Sequence, residues 1–415
     1  MFHTSRWNYS VTGGSSDSAF PTLDKLAGKR VGIVGTAATA VQIVPEVAKY
    51  AKELYIFQRT PSQVFPRGQR NTEPEEWRER IATGPGWQTD RMNNLAEHMS
   101  GTNAPDMVNL VNDEWSKLKA YCALVGSTKF GTVTLDKIPE HIARLQALDA
   151  EDTSRVRKRI SEIVNDKDTA EKLMPWYFTW CKRPTFSDVY LQTFNKKNVH
   201  LIHTDGKGIN SLTSHGVVAN DQEYPVDVLI FSTGYRSPGS ASEDQAARLG
   251  IDVIGRKNTH LTEKMSTKGA TSLHGCCTNG FPNLFWIGLS QIGSTASYSH
   301  TIDVISRHIT GIIAGAHDRL STNQKDKRVV IEPSEAAEEA YATKILKGAA
   351  YYGSLVVCTP GYLTQEGEFL KQGDQAEMMK RARGSPWVEG IVSFSRMLEA
   401  WRTDGKFEGM EINVV

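Results

Sequence analysis

The sequence lacks any strong excess of charge of one sign: 48 Lys and Arg stand against 47 Asp and Glu, leaving +1 at pH 7. Near-cancellation provides no broad field for nucleic acid or an anionic membrane, so neither is an expected partner. No apolar run is long enough to span a bilayer. The first residues do not follow the charged-then-apolar pattern of a secretory signal, and a cytoplasmic location is expected. Cysteine is sparse. The five thiols, Cys122, Cys181, Cys276, Cys277 and Cys358, form no C-x-x-C and no disulfide-framework spacing. The adjacent Cys276 and Cys277 read as two thiols in a crowded loop. No G-x-S-x-G nucleophile turn occurs, and the 11 histidines are scattered without metal-ligand spacing, so no metal site is expected. His200 and His203 lie three apart in the stretch NVHLIHT, which sends them to opposite faces of a strand.

What is present is one clear local pattern, KRVGIVGTAATAVQIVPEVAKYAKELYIFQRTPS. Arg30 to Val34 is a short apolar run closed by Gly35 and predicts a buried strand. Thr36 to Tyr50 has helical periodicity, with Val41, Val44, Val47 and Ala48 on one face. Glu53 to Gln58 predicts a second strand that Pro61 stops. Strand, glycine turn, helix and strand make a βαβ unit, and the fold class is α/β. From about Phe65 to Met174 the chain is charged and rich in helix formers, which predicts a helical insertion too long for a simple crossover. Strand signals return in NVHLIHT and in VDVLIFSTGYR (226–236), whose Gly234 follows the apolar run. PNLFWIGLS (282–290) predicts another buried strand. A helix is expected from Ser299 to Ala314 with Ile302, Ile305, Ile309, Ile312 and Ile313 along one side. Polar helix and loop follow from about Thr322.

A dinucleotide fingerprint requires three small residues: one for the tight turn, one for close approach to the pyrophosphate, and one for packing of helix on strand. The register is Gly35-Thr36-Ala37-Ala38-Thr39-Ala40, with alanine at the second and third positions. The Ala37 methyl points to where phosphates come closest, which weakens binding but leaves the helix N-terminus to hold them. A structural layer that binds no dinucleotide is the alternative. The second strand ends in Gln58-Arg59-Thr60, not in the acidic residue that holds NAD ribose hydroxyls. The forked donors of Arg59 suit a 2′-phosphate and argue for NADP.

With these residues set out, the chain resembles the Baeyer–Villiger monooxygenases, flavoproteins that use NADPH and oxygen to convert ketones into esters or lactones. His3-Thr4-Ser5-Arg6-Trp7 matches the second half of the family fingerprint, although Asn8 replaces its usual proline. GIVGTAATAVQ, with Gln42, and FQRTPS, with Arg59 and Thr60, resemble the NADP-binding motif. Lys182-Arg183-Pro184 resembles the segment carrying the active-site arginine. Phe231 to Tyr235 resembles a hinge, and GFPN with LFWIG resembles a returning strand of the FAD domain. The C-terminal ARGSPWVEGIVSFSRMLEAWRTDGKFEG is similar to the fungal branch, whose substrates are often bulky polycyclic ketones.

The resemblance implies four regions: the fingerprint and first half of an NADP-binding Rossmann domain (1–62), a helical insertion (63–175), the second half of that domain (176–239), and the C-terminal part of a FAD-binding domain with an extension (240–415). It implies NADP at Gly35, Thr36, Ala37, Ala38, Thr39, Gln42, Arg59, Thr60, Lys182 and Gly234. It also implies that Arg183 stabilises the anionic oxygenating species, with His3 beside the domain junction. FAD is expected from the family, but its N-terminal pyrophosphate loop has no counterpart in these residues. The expectation is therefore an N-terminally truncated monooxygenase acting on a small-molecule ketone. A flavin-free homologue running an isomerase, cyclase or hydrolytic step on a polyketide-like substrate is one alternative, and a non-catalytic binding protein another. The open sheet edge of such a remnant would accept a partner, so a homodimer stays open.

Overall fold

A computed structural model of the chain describes residues 1–235, 245–320, 327–370 and 373–415. The expected boundary at 239/240, Arg236 and the start of the polar C-terminal segment at Thr322 lie outside them. The chain divides into two compact units: Met1–Asn71 with Asp149–Arg236, and Thr72–Leu148 with Ser237–Val415. Both divisions near the insertion fall inside the segment read as one helical body.

Unit 1 is built on a five-stranded parallel sheet. Its strands are β1 (Phe2–His3), β2 (Arg30–Val34), β3 (Glu53–Gln58), β6 (Val199–His203) and β10 (Val228–Phe231), in the order β1-β10-β2-β3-β6. Val31, Ile33, Leu54, Ile56 and Ile230 are fully buried, as expected where both faces of a parallel sheet are covered. In register, Val31 faces Leu54 and Val228, while Ile33 faces Ile56 and Ile230. At the opposite end of the ladder, Arg30 donates its backbone N–H to Asp227 Oδ2 (2.8 Å) and its Nη2 to Oδ1 (2.7 Å). The helix α1 (Ala38–Val47) connects β2 to β3 and is shorter than the predicted span Thr36 to Tyr50. Thr36 stays outside because its hydroxyl is used elsewhere.

Two small sheets complete this unit. β4 (Val64–Phe65) pairs with β5 (Thr185–Phe186). β7 (Ser211–Leu212), β8 (Gly216–Ala219) and β9 (Gln222–Pro225) form an antiparallel meander. Asn220 and Asp221 join β8 to β9 with φ of 52° and 59°. Positive φ at both central residues is the two-residue turn whose twist matches a hairpin. The periodicity analysis singles out none of these short strands.

The long helix α2 (Ile138–Ile163) carries the chain across the division at Leu148/Asp149. Unit 2 is mainly helical. It contains α3 (Tyr298–His317), α4 (Glu335–Gly348), α5 (Ile391–Thr403) and one antiparallel pair, β11 (Val329–Pro333) with β12 (Met410–Val414). Ile292, Val304, Ile305, Tyr341, Ile345, Trp387, Ile391 and Phe394 form its main core. Glu338, fully buried, accepts from Lys264 Nζ (2.7 Å), Thr278 Oγ1 (2.8 Å) and the Asn279 N–H (2.8 Å).

The segment 282–290 is not a strand. Asn283 exchanges hydrogen bonds with β11, through its N–H to the Ile331 carbonyl (2.8 Å) and its Oδ1 from the Ile331 N–H (2.8 Å). Beyond it, Leu284 to Leu289 enters no ladder among the described residues, and Ile287 and Leu289 are 36% and 51% exposed. Apolar composition supplies a strand's side chains but not its hydrogen-bonding neighbour. On α3, Ile305 and Ile312 are buried as expected, whereas Ile302 and Ile313 are each 38% exposed. The five isoleucines span more than one face of the helix. Among the described residues, Cys122, Cys276 and Cys277 are buried free thiols, and no three metal-ligating side chains converge. No helix among them is long and apolar enough to cross a membrane.

A buried chain of nitrogen atoms links α3 and α5. Arg402 Nη1 lies 3.2 Å from His308 Nδ1, and His308 Nε2 lies 3.0 Å from His274 Nδ1. The guanidinium can only donate, so His308 carries its proton on Nε2 and passes it toward His274. Burial lowers both imidazoles, His274 to about 3 and His308 to about 2, and the nearby Lys344 and Arg402 charges act in the same direction. Above the ordinary histidine range the pair is neutral in both folded and unfolded chains. Below it only the unfolded chain takes up the protons, so stability falls as pH falls, by about 1.4 kcal/mol per pH unit for each imidazole. His308→Gln is therefore expected to make the pH dependence of the unfolding free energy, read from urea titrations, shallower by about 1.4 kcal/mol per unit between pH 6 and pH 4. Equal slopes for the two proteins would refute this account of the pair.

Candidate functional site

The residues that the sequence nominates gather at the carboxyl ends of the unit 1 strands. The sheet order reverses around β2, with β3 and β6 on one side and β10 and β1 on the other. In open α/β sheets the crevice at that reversal is where ligands bind. Gly35 leaves β2 there, with Arg59 and Thr60 leaving β3, Gly234 following β10 and His3 ending β1.

Gly35 has φ of +106°, and a Cβ on it would lie 2.4 Å from the Ser232 carbonyl oxygen beyond β10. Both conformation and space thus demand glycine. Its N–H donates to the Phe57 carbonyl (2.9 Å), tying the turn to β3 as well. Thr36 is buried; its hydroxyl donates to the Thr60 carbonyl (2.8 Å), and Ser62 Oγ donates to the Thr36 carbonyl (2.6 Å). Ala37 is the exposed N-cap of α1 and offers no side-chain acceptor. The first-turn N–H groups of the helix, beside half-buried Ala38 and Thr39, are left to a ligand or water. Gln42 is exposed and donates back to the Ala38 carbonyl of its own helix (3.0 Å).

At the end of β3, Gln58 is fully buried, and its Nε2 reaches the Lys172 carbonyl (2.7 Å) and His203 Nδ1 (3.0 Å). The position that holds ribose hydroxyls in NAD sites is turned into the protein here. Arg59 comes next and is exposed. Lys182 Nζ stands 5.3 Å from the centre of the Tyr177 ring, and Arg183 beside it is exposed. This segment is stitched to the one that follows β3. Tyr177 donates its hydroxyl to the Pro61 carbonyl (2.8 Å) and accepts Gln63 Nε2 at its own carbonyl (2.8 Å), while Thr185 N–H reaches the Gln63 carbonyl (3.0 Å). Burial holds the Tyr177 phenol well above its usual range, so it remains a donor.

Behind both segments, α2 acts as a brace. Asp149 accepts the Thr179 N–H (3.0 Å), the Thr179 hydroxyl, and Thr153 Oγ1 (2.7 Å). Arg159 donates to the carbonyls of Val64 (3.0 Å) and Ser187 (2.9 Å), and Arg157 donates twice to the Pro175 carbonyl (3.2 and 2.9 Å). Sequence reasoning missed Ser62, Gln63, Tyr177 and these three residues of α2. Only Tyr177, an aromatic just before Lys-Arg, carried a local signal.

His3 is engaged locally. Its Nδ1 accepts the Ser5 N–H (3.1 Å) and lies 2.8 Å from Ser5 Oγ, and its ring meets the edge of Tyr235 at 6.1 Å. Gly234 differs from Gly35: its φ is +78°, but a Cβ on it would meet nothing within 4 Å. The structure therefore brings Gly35, Thr36 and Thr60 together in one connected turn, while His3 serves the turn it begins.

No family model matches the sequence. Individual proteins do. The chain is 48% identical over 417 residues to the polycyclic ketone monooxygenase of Thermothelomyces thermophilus, covering 100% of this chain and 62% of that protein. It is 37% identical over 414 residues to a Baeyer–Villiger monooxygenase of Stachybotrys chlorohalonatus, covering 99% of this chain and 61% of the relative. The solved structure of the Thermothelomyces enzyme superposes with a TM-score of 0.93 over 99% of this chain and 63% of its own. The chain belongs to the Baeyer–Villiger monooxygenase family. It spans about three fifths of the length of the curated relatives it matches. A steroid monooxygenase bound to NADP shares the fold, with a TM-score of 0.67 at 20% identity over 99% of this chain and 69% of that one.

Within this Baeyer–Villiger fold the two glycines make a controlled comparison. Gly35→Ala sets a methyl against a backbone carbonyl at positive φ and is expected to destabilise unit 1 by more than about 2 kcal/mol. Gly234→Ala carries only the conformational cost of its φ, about 1 kcal/mol. Urea titrations of both variants test the ranking, and a Gly35→Ala protein as stable as the Gly234→Ala protein would contradict it.

Proposed function

We propose that this chain serves Baeyer–Villiger oxygenation of a bulky, polycyclic ketone, with unit 1 holding NADP(H). The observation that carries the reading is 48% identity across the whole chain to a polycyclic ketone monooxygenase, combined with a glycine turn that opens a helix without a side-chain cap. NADP(H) fits the residues present. The Gly35 turn and the α1 N-terminus suit a pyrophosphate, and buried Gln58 followed by exposed Arg59 suits a 2′-phosphate over a free hydroxyl. Lys182 is the second cation for that phosphate. Bound NADPH supplies a hydride.

FAD is the family's oxygen-reacting cofactor, and the relatives include several named FAD-binding monooxygenases. The described residues contain a single glycine-turn βαβ unit, the one assigned to NADP(H), and no pyrophosphate cradle for flavin is found among them. The roles assigned here are accordingly those of binding and charge. Arg183 places an exposed guanidinium, always protonated, next to Lys182. There it stabilises negative charge, the more strongly the less water surrounds it. Asp149, Arg157 and Arg159 hold the backbone on either side of it.

Arg59→Ala and Lys182→Ala are each expected to weaken NADPH binding about tenfold to a hundredfold and to leave NADH nearly unchanged, since each removes a charge-assisted contact to the 2′-phosphate alone. Fluorescence titration of the reduced nucleotides reads both numbers. Arg183→Ala should retain NADPH binding and lose ketone-dependent NADPH oxidation in FAD-supplemented protein. An unchanged NADPH to NADH preference in Arg59→Ala would remove the cofactor assignment, and ketone turnover by Arg183→Ala at the parent rate would remove the role of the arginine.

A further inference from the structure

Trp176 is unusual in its surroundings. Tryptophan is highly buried on average, yet this side chain is 49% exposed on a backbone held at both sides. The preceding carbonyl, that of Pro175, receives both donors of Arg157. The following residue, Tyr177, is buried and anchored to Pro61 and Gln63. A fixed main chain thus presents a large flat aromatic outward. Its edge-on partner is His203, with ring centres 6.2 Å apart and planes at 75°, which orients the indole without covering it.

Its neighbours are the residues assigned to the 2′-phosphate. His203 ends β6 and bonds to Gln58, the last residue of β3, and Arg59 follows directly. In the other direction, Tyr177 follows Trp176 in the chain, and Lys182 Nζ stands 5.3 Å from its ring centre. The route from the indole to Arg59 thus runs through His203 and Gln58 and then along the chain, and the route to Lys182 runs along the chain to Tyr177 and across its ring. In NADP(H) the adenine and the 2′-phosphate are attached to the same ribose, one sugar ring apart. A site that holds the phosphate between Arg59 and Lys182 must place the base within reach of what lies beside them. Every nucleobase has a π face, and an exposed indole is the side chain best suited to cover one.

We propose that Trp176 is the stacking platform for the adenine of NADP(H), a binding residue that acts together with Arg59 and Lys182. This rests on the NADP(H) reading of unit 1. The T-shaped contact with His203 fixes the plane of the indole.

The test uses the full 415-residue chain and adenosine 2′,5′-bisphosphate, which contains the base and the 2′-phosphate but no nicotinamide. Calorimetric titration of the parent, Trp176→Ala and Trp176→Phe proteins is run beside inorganic pyrophosphate as a base-free control. Loss of the platform should weaken bisphosphate binding about tenfold to a hundredfold in Trp176→Ala, with Trp176→Phe within about threefold of the parent because a phenyl ring still stacks. Pyrophosphate affinity should not move. The indole is half exposed, and an unchanged thermal midpoint verifies that the variants keep the fold. Parent-like bisphosphate binding by Trp176→Ala overturns the proposal and leaves the NADP(H) reading intact. An equal loss for pyrophosphate also overturns it, because the change then acts through the backbone and not the base. A parent protein that binds no bisphosphate overturns both readings together.

Discussion

The carboxyl edge of the unit 1 sheet depends on how closely the Gly35 turn approaches the Ser232 carbonyl. A methyl at that point would sit 2.4 Å from the oxygen, so β2 can meet β10 with its turn intact only because nothing projects from residue 35. The remaining geometry follows from this approach. The turn delivers Thr36 to the Thr60 carbonyl, Ser62 returns a hydrogen bond to Thr36, and the loop after β3 is held where Arg59 leaves it. From Ser62 the line of contacts continues through Gln63 and Tyr177 to the Lys182-Arg183 segment. The residues proposed for pyrophosphate, 2′-phosphate and the reactive site are thereby referred to one backbone contact.

Unit 2 addresses a different problem, that of polar groups inside a helical core. Glu338 is buried with three donors, and the imidazoles of His274 and His308, kept neutral chiefly by burial, stand in series behind Arg402. A buried carboxylate that lost Lys264 would be strongly unfavourable, because its charge would remain desolvated and unpaired. Such networks favour one packing arrangement over its near alternatives, since a shifted helix would leave several groups unmatched at once.

The two strands flanking the glycine turn were legible to the residue, because both faces of a parallel sheet are buried and the apolar runs are continuous. Helix α1 was legible in kind but not in length, since Thr36 is diverted to Thr60 by a tertiary hydrogen bond that no local periodicity announces. PNLFWIGLS misled for a related reason: pairing is a property of two segments, and only one can be read at a time. The turn at Asn220-Asp221 was visible in principle, through two residues that tolerate positive φ. Asp149, Arg157 and Arg159 were not. They lie in a charged helix where many similar side chains face water, and only the folded chain shows which of them reach inward.

The way α2 grips its neighbours has an evolutionary consequence. Arg157 and Arg159 hold the carbonyl oxygens of Pro175, Val64 and Ser187. A carbonyl is the same in every residue type, so the loops around Lys182 and Arg183 can exchange side chains without loosening that hold. Drift in those loops can reshape what the surface accepts while the scaffold beneath stays constant, a separation that lets a lineage explore new substrates by single substitutions.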